Sequence, residues 1–284
     1  VQDLETLLFE QEGGIAWVTL NRPEVHNAFN SRMQQELRML WRSFRYDDSV
    51  RVVVLTGAGD KAFCTGIDRS EVISDPNARQ GEDPLTAPLG AHLNVGAAGG
   101  TPFMFDDPGE LLGPKSCDLF KPVIAAVNGM ACGGAFYMLG EVDVIIAAEH
   151  ATFFDPHVTY GMTASFEPMQ MLYKMPFGEV TRMALLGAAE RMSAQRAHQI
   201  GLVSEVVAMD ELRERAGWVA SVIAEAPPLA VQGTLRALWA ARELSRSQAV
   251  AMGYAFIGLG TSQESISEGQ RSFASKSRPQ WRIR

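Results

Sequence analysis

The 284-residue chain has three cysteines, no surplus of basic charge and no apolar run long enough to cross a membrane. Cys64, Cys117 and Cys132 are odd in number and lack metal-ligand spacing. That argues against a disulfide framework or a zinc site and for a reduced, intracellular protein. Lys and Arg number 25 against 33 Asp and Glu, a net charge of -8 that argues against a general nucleic-acid surface. The dinucleotide fingerprint, the phosphate loop with its Lys and the Gly-x-Ser-x-Gly elbow are all missing, which disfavours a nucleotide-binding fold and a serine hydrolase. Val1-Gln-Asp-Leu4 has no signal-peptide pattern, so the expected location is the cytoplasm. The lack of an initial Met leaves an upstream targeting segment open.

What is present is ordinary for a soluble globular protein that buries a sizeable core: 46% hydrophobic and 20% charged residues. Apolar, β-rich runs at Ile15–Leu20, Val52–Leu55, Val123–Val127, Val144–Ile146 and Leu202–Val207 alternate with helical patterns, which predicts an α/β architecture. The clearest helix spans Ser31–Arg45, with Met33, Leu37, Leu40, Trp41 and Phe44 on one face after an Asn30 or Ser31 cap. From Met209 onward the pattern is helical and amphipathic, broken at Pro227-Pro228 and near Gly258-Leu-Gly260. The expected organisation is a core over 1–208 and a helical region over 209–284.

Asn128-Gly-Met-Ala-Cys-Gly-Gly-Ala135 puts Gly133 and Gly134 between the apolar strand Val123–Val127 and an apolar helix start at Ala135. The glycine N–H groups would lie at the positive end of the helix dipole, without intrahelical partners, and open to close approach. An oxyanion and a phosphate fit such a place equally well. A second strand-to-helix segment, Ala62-Phe-Cys-Thr-Gly-Ile-Asp68, offers another N–H at Ile67. Two such donors from two turns suit a thioester oxygen that becomes an enolate.

The residues that carry these features also carry a resemblance. Val18-Thr-Leu-Asn-Arg-Pro-Glu-Val-His-Asn-Ala28, Ala62–Asp68, Lys121-Pro-Val-Ile-Ala-Ala-Val-Asn-Gly129, Arg191–Val203 and Glu268–Lys276 follow one another in the order of the crotonase family, the enoyl-CoA hydratase and isomerase superfamily. The chain resembles that family over nearly its whole length. The resemblance implies a spiral of ββα turns, a pattern that strand spacing alone does not separate from a doubly wound sheet. It also implies a C-terminal region that supports a homotrimer or dimer of trimers and closes the CoA site. Phe273 and Lys276 match tail positions that contact CoA, partly across the subunit boundary. His26 and Ala28 match a segment lining the CoA path through backbone groups. Residues 74–118, rich in Gly, Pro, Asp and Asn, are longer than most loops and match a place where the family varies over the acyl pocket. Leu85, Leu89, Leu93, Phe103, Met104 and Phe105 favour packing of this insertion, read as a lid, against the body.

The catalytic centre departs from the familiar hydratase pattern, because the two expected glutamates are replaced by Tyr137 and His157. Tyr137, with a reference pKa of about 10, is a poor base and a better pocket wall, whereas His157, at about 6.5, serves as base or acid. Glu167, just before Pro168, either pairs with His157 or merely complements a helix dipole. Asp155 is a further candidate carboxylate. Asp68 is expected to cap the helix after Ile67, and Arg69 to reach a phosphate. The reading is an acyl-CoA enzyme using Ile67, Gly134, His157, Glu167 and Tyr137, with CoA as part of the substrate, no separate cofactor and no metal. Enoyl-CoA hydration or isomerisation comes first. Another enolate reaction, C–C hydrolysis or decarboxylation, or a noncatalytic acyl-CoA binder, stands as the alternative.

Overall fold

The computed structural model describes residues 4–70, 109, 112–277 and 281. The lid assigned to 74–118 falls largely outside them. Strands β1 (Leu7–Glu12) and β2 (Ile15–Leu20) form an antiparallel hairpin turned by Gly13 and Gly14, both at positive φ. Strands β3 (Val52–Gly57), β5 (Val123–Val127), β7 (Val144–Ala148) and β10 (Glu205–Val207) then add in parallel, giving the order β1-β2-β3-β5-β7-β10. Strands β3, β5 and β7 are each followed by a short one: β4 (Ala62–Cys64), β6 (Met130–Cys132) and β8 (Thr152–Phe154). These run parallel in a second sheet, closed by the antiparallel β9 (Met192–Ser193). Strand of the large sheet, strand of the small sheet, then helix: this is the ββα spiral that the resemblance implies.

Side-chain alternation explains why the large sheet is buried on both faces. Val53, Leu55, Val123, Ala125, Ile145 and Ala147 join the main core, into which helix α1 (Ser31–Phe44) packs Leu37, Trp41 and Phe44. Their neighbours Val52, Val54, Ile124, Ala126, Ile146 and Ala148 face the other way, onto Leu212, Ala216 and Ala220 of the helix Leu212–Ala224. Continuous Val/Ile runs are what a parallel strand covered on both sides requires. Asn30 is the α1 cap, its side chain accepting from Met33 N at 2.9 Å.

One sequence expectation needs correcting. The stretch from Asn128 to Gly134 is not a single turn between strand and helix, because β6 lies inside it and pairs with β4. Three-residue strands are too short for periodicity to reveal them. The break expected near Gly258-Leu-Gly260 falls at Gly260, where the helix Gly253–Gly260 ends. That helix packs against Pro228–Glu243 where Gly233 and Gly260 face each other's backbones, a Cβ on Gly260 falling 2.7 Å from Leu229 O. Trp239 Nε1 donates to Asp143 Oδ1 at 2.7 Å and ties the C-terminal helices to the core.

Two buried asparagines hold the turns that lead to the site. Asn128 Oδ1 accepts from Gly57 N at 3.0 Å, while its Nδ2 donates to Gly59 O at 2.8 Å and Ala62 O at 3.1 Å. Asn27 Nδ2 donates to Ala58 O at 3.0 Å and Ala62 O at 2.8 Å. Replacing Asn128 by Ala strands a buried N–H and loosens two carbonyls, so Asn128→Ala is expected to lower the unfolding free energy by about 2–4 kcal/mol. Urea denaturation measures it, and a loss under ~0.5 kcal/mol contradicts the assigned role.

Candidate active site

Two turns meet at Phe29. Phe29 N donates to Gly66 O at 2.9 Å, and Asp68 N donates to Phe29 O at 2.8 Å. In that parallel pairing the Ile67 N–H projects from the opposite edge. On the other side, the Phe29 ring lies where a Gly134 Cβ would be, 2.6 Å from Cε1. A Cβ on Gly66 would fall 2.9 Å from Gly134 N. Only glycines allow the two backbones this close, and Gly66 and Gly133 also take φ of +86 and +53. Gly134 precedes the fully buried helix α2 (Ala135–Glu141), whose first N–H groups lack intrahelical acceptors. Neither Ile67 N–H nor Gly134 N–H donates to another described residue. The result is a pair of neighbouring, unclaimed donors.

Beside them stands a short chain of titratable groups. Strand β8 ends at Phe154, and Asp155 is fully buried next to it. The Asp155 carboxylate accepts from His157 N at 3.0 Å and holds His157 Nδ1 at 2.5 Å, both through Oδ1. With Nδ1–H given to Asp155, Nε2 is the working nitrogen, and it faces Glu167 Oε1 at 3.6 Å. The His157 ring lies against the first turn, Cε1 being 3.7 Å from where a Gly133 Cβ would sit. Glu167 is in the first turn of helix α3 (Phe166–Met171) and buried. So it both heads a helix and pairs with His157, the two roles left open by the sequence.

The hydrogen bond to Asp155 holds the His157 pKa above its ordinary value; burial opposes this, and the negative charge of Glu167 reinforces it. Asp155, His157 and Glu167 bring one ligand atom each within 4.8 Å of one another, a spacing that could also receive a cation. The short Nδ1–Oδ1 bond already places a proton between two of those atoms. Cys132, the last residue of β6, has its thiol pushed up to about 12 by burial and stays protonated, which makes it a poor nucleophile.

The other expected residues are spread more widely. Asp68 caps its helix through Ser70 N at 3.0 Å and pairs with Arg22 at 2.8 Å. Burial acts to raise its carboxyl, but the bonds from Ser70 and Arg22 outweigh that and hold it below the usual range. Arg69 stacks over the Tyr160 ring at 4.3 Å. His26 and Ala28 have N–H groups bonded to Pro23 O and Val25 O, each at 3.1 Å, and the His26 carbonyl accepts from Thr65 Oγ1 at 3.3 Å. The Ala28 carbonyl already accepts from Arg22 at 2.8 Å. Tyr137 is buried with its ring pressed against Gly109, the position of a packing residue. Phe273 and Lys276 lie at the end of the last helix, with Phe273 89% exposed. Asn27, Asn128 and Phe29, which shape the turns, were not legible as site residues. Asp155 carried a weak signal, two residues before His157.

A family model described as enoyl-CoA hydratase/isomerase matches residues 10–86 and 112–284 and leaves out 87–111, within the long segment. A solved enoyl-CoA hydratase/isomerase from Mycobacterium paratuberculosis superimposes with a TM-score of 0.84 at 35% identity, covering 99% of this chain and 100% of the other. The (E)-benzylidenesuccinyl-CoA hydratase of Thauera aromatica is 31% identical over 96% of this chain and 97% of its own length. The carnitinyl-CoA dehydratase of Proteus mirabilis is 31% identical over 99% of both.

Replacing Asp155 by Asn removes the principal cause of the raised His157 pKa. An NMR titration of the His157 ring is therefore expected to move to lower pH in Asp155→Asn, and an unchanged titration would contradict the pairing.

Proposed function

The chain belongs to the enoyl-CoA hydratase/isomerase family, and from that premise we propose that it reversibly adds water to a 2-enoyl-CoA thioester, with His157 and Glu167 as the acid/base pair. The reading rests on one observation above all: His157 Nε2 faces Glu167 at 3.6 Å, against the glycine turn in which Gly134 N–H has no acceptor among the described residues.

In this mechanism the thioester oxygen accepts from the Ile67 and Gly134 N–H groups. Glu167 takes a proton from water, the hydroxyl adds to the β-carbon, and the electron pair moves to the oxygen as an enolate held by the two donors. Protonated His157 then gives its Nε2 proton to the α-carbon, and the carbonyl re-forms. Glu167 has gained a proton and His157 has lost one, so transfer across the gap between them restores both. Asp155 stays ionised throughout, keeps the imidazole oriented and favours its charged form, much as the carboxylate of a catalytic triad does. Dehydration of a 3-hydroxyacyl-CoA is the same path reversed. Relatives named as hydratases and a dehydratase support this direction of reading. A second reading, double-bond isomerisation, is favoured by Tyr137 in the place of one expected carboxylate: one acid/base centre on one face can carry a proton between two carbons.

CoA is treated as part of the substrate. No helix among the described residues is long and apolar enough to cross a membrane. The three free, buried cysteines suit a reducing compartment, and the cytoplasm is the proposed location. The proposed assembly is a homotrimer or a dimer of trimers. Tyr254 at 87% exposure and Phe273 at 89%, with Ile257 and Leu259 nearby in sequence, leave large apolar side chains uncovered in a single chain. Sedimentation equilibrium is expected to give a mass three or six times that of the chain; a monomer at micromolar concentration contradicts it.

The reaction is tested with trans-2-enoyl-CoA in D2O, following water addition and deuterium at the α- and γ-carbons. His157→Ala and Glu167→Gln are each expected to lower kcat/KM by about 10²–10⁴-fold. Because the proton donor is imidazolium, the wild-type rate falls as pH rises through the raised His157 pKa. Deuterium at the γ-carbon without hydration would give the second reading instead, and binding without either reaction would leave a noncatalytic binder.

A further inference from the structure

Arg69 has an unusual setting for a surface arginine. It lies two residues beyond Ile67, and its guanidinium stacks over the Tyr160 ring at 4.3 Å. Tyr160 closes the short helical turn that opens with His157. The positive charge of Arg69 is close enough to oppose protonation of His157. The carboxylates around it are already engaged: Asp68 by Arg22 at 2.8 Å, Asp155 by His157 at 2.5 Å and Glu167 by His157 at 3.6 Å. None of the ion pairs among the described residues includes Arg69. Contact with the ring places the guanidinium, and its N–H groups donate to no described residue, which leaves them for a carboxylate bound in a fork.

We propose that Arg69 is a specificity residue that receives a carboxylate carried on the acyl chain, so that the preferred substrates are half-thioesters of dicarboxylic acids. The inference rests on the acyl-CoA reading above. In that reading the thioester oxygen is on Ile67 N–H and the reacting carbons face His157. A group beside both is then within reach of the acyl chain beyond the β-carbon. The phosphates of CoA, the other source of an anion, are separated from the thioester by the whole pantetheine arm. An acyl carboxylate on Arg69 also offsets a charge that opposes the protonated form of His157, which couples binding of the correct substrate to the acid needed for turnover.

Glutaryl-CoA and pentanoyl-CoA test this directly, because they have equal chain length, differ by a carboxylate in place of a methyl and contain no double bond to hydrate. Calorimetric titration of the wild-type protein is expected to show about tenfold tighter binding of glutaryl-CoA, the size of one charge-assisted contact at a solvated site. In Arg69→Met the ratio of the two dissociation constants falls to about one, and Arg69→Lys keeps part of it. Equal wild-type affinities overturn the proposal. So does a loss in Arg69→Met that is the same for both esters, because that places Arg69 on a CoA phosphate. If neither ester binds, the acyl-CoA reading itself fails, an outcome distinct from binding without preference.

Discussion

The site depends on two polypeptide turns that touch through their backbones. Phe29 pairs with Gly66 and Asp68 through its main chain and abuts Gly134 with its ring, so one residue spaces both turns. A Cβ at Gly66 or Gly134 would force them apart by a substantial part of an ångström. Donors aimed at a developing charge act through their position, set before the reaction begins. Close contact without side chains is an economical way to fix it. The buried amide groups of Asn27 and Asn128 extend the same constraint, tying Gly57, Ala58, Gly59 and Ala62 to the strands on either side.

The cluster around His157 is organised on a different principle. Asp155 and Glu167 flank a single imidazole, and all three are largely withdrawn from water. Two carboxylates around one imidazole favour the cation, while burial opposes it. One face of the ring is committed to Asp155, so the direction of any proton transfer is restricted to Nε2. The familiar pair of glutamates achieves two proton positions with two carboxylates; in the proposed mechanism an imidazolium and one carboxylate supply them from neighbouring turns of a single segment.

Long apolar runs made the large sheet legible: Ile15–Leu20 and Val123–Val127 were bounded correctly because continuous β-branched residues have few other uses. The helix Ser31–Phe44 was equally plain from its apolar stripe and Asn30 cap. The second sheet was not legible, since β4, β6 and β8 are three residues each and their pairing is a tertiary fact. At the candidate site, Ile67, Gly134, His157 and Glu167 were proposed from motif order and chemistry, and the fold brings them near one another. Glycines announce a close backbone, and a histidine in place of an expected carboxylate announces a titratable role. The direction of Arg69 was missed. Its proximity to Tyr160 depends on how two distant loops fold together, which no local pattern encodes.

The ladders that join β3 to β5 and β4 to β6 have a consequence for how such an enzyme can change. They fix both ends of the long connection between Arg69 and Val123 without reference to its length. The entropic cost of closing a loop grows only with the logarithm of its length. Residues can therefore be added or removed between these ends while Ile67 and Gly134 keep their relation. A single residue inserted within β4 has the opposite effect, shifting its register against β6 ahead of the Ile67 N–H. Change of length is thus confined to a part of the chain where it leaves the two turns in their relation.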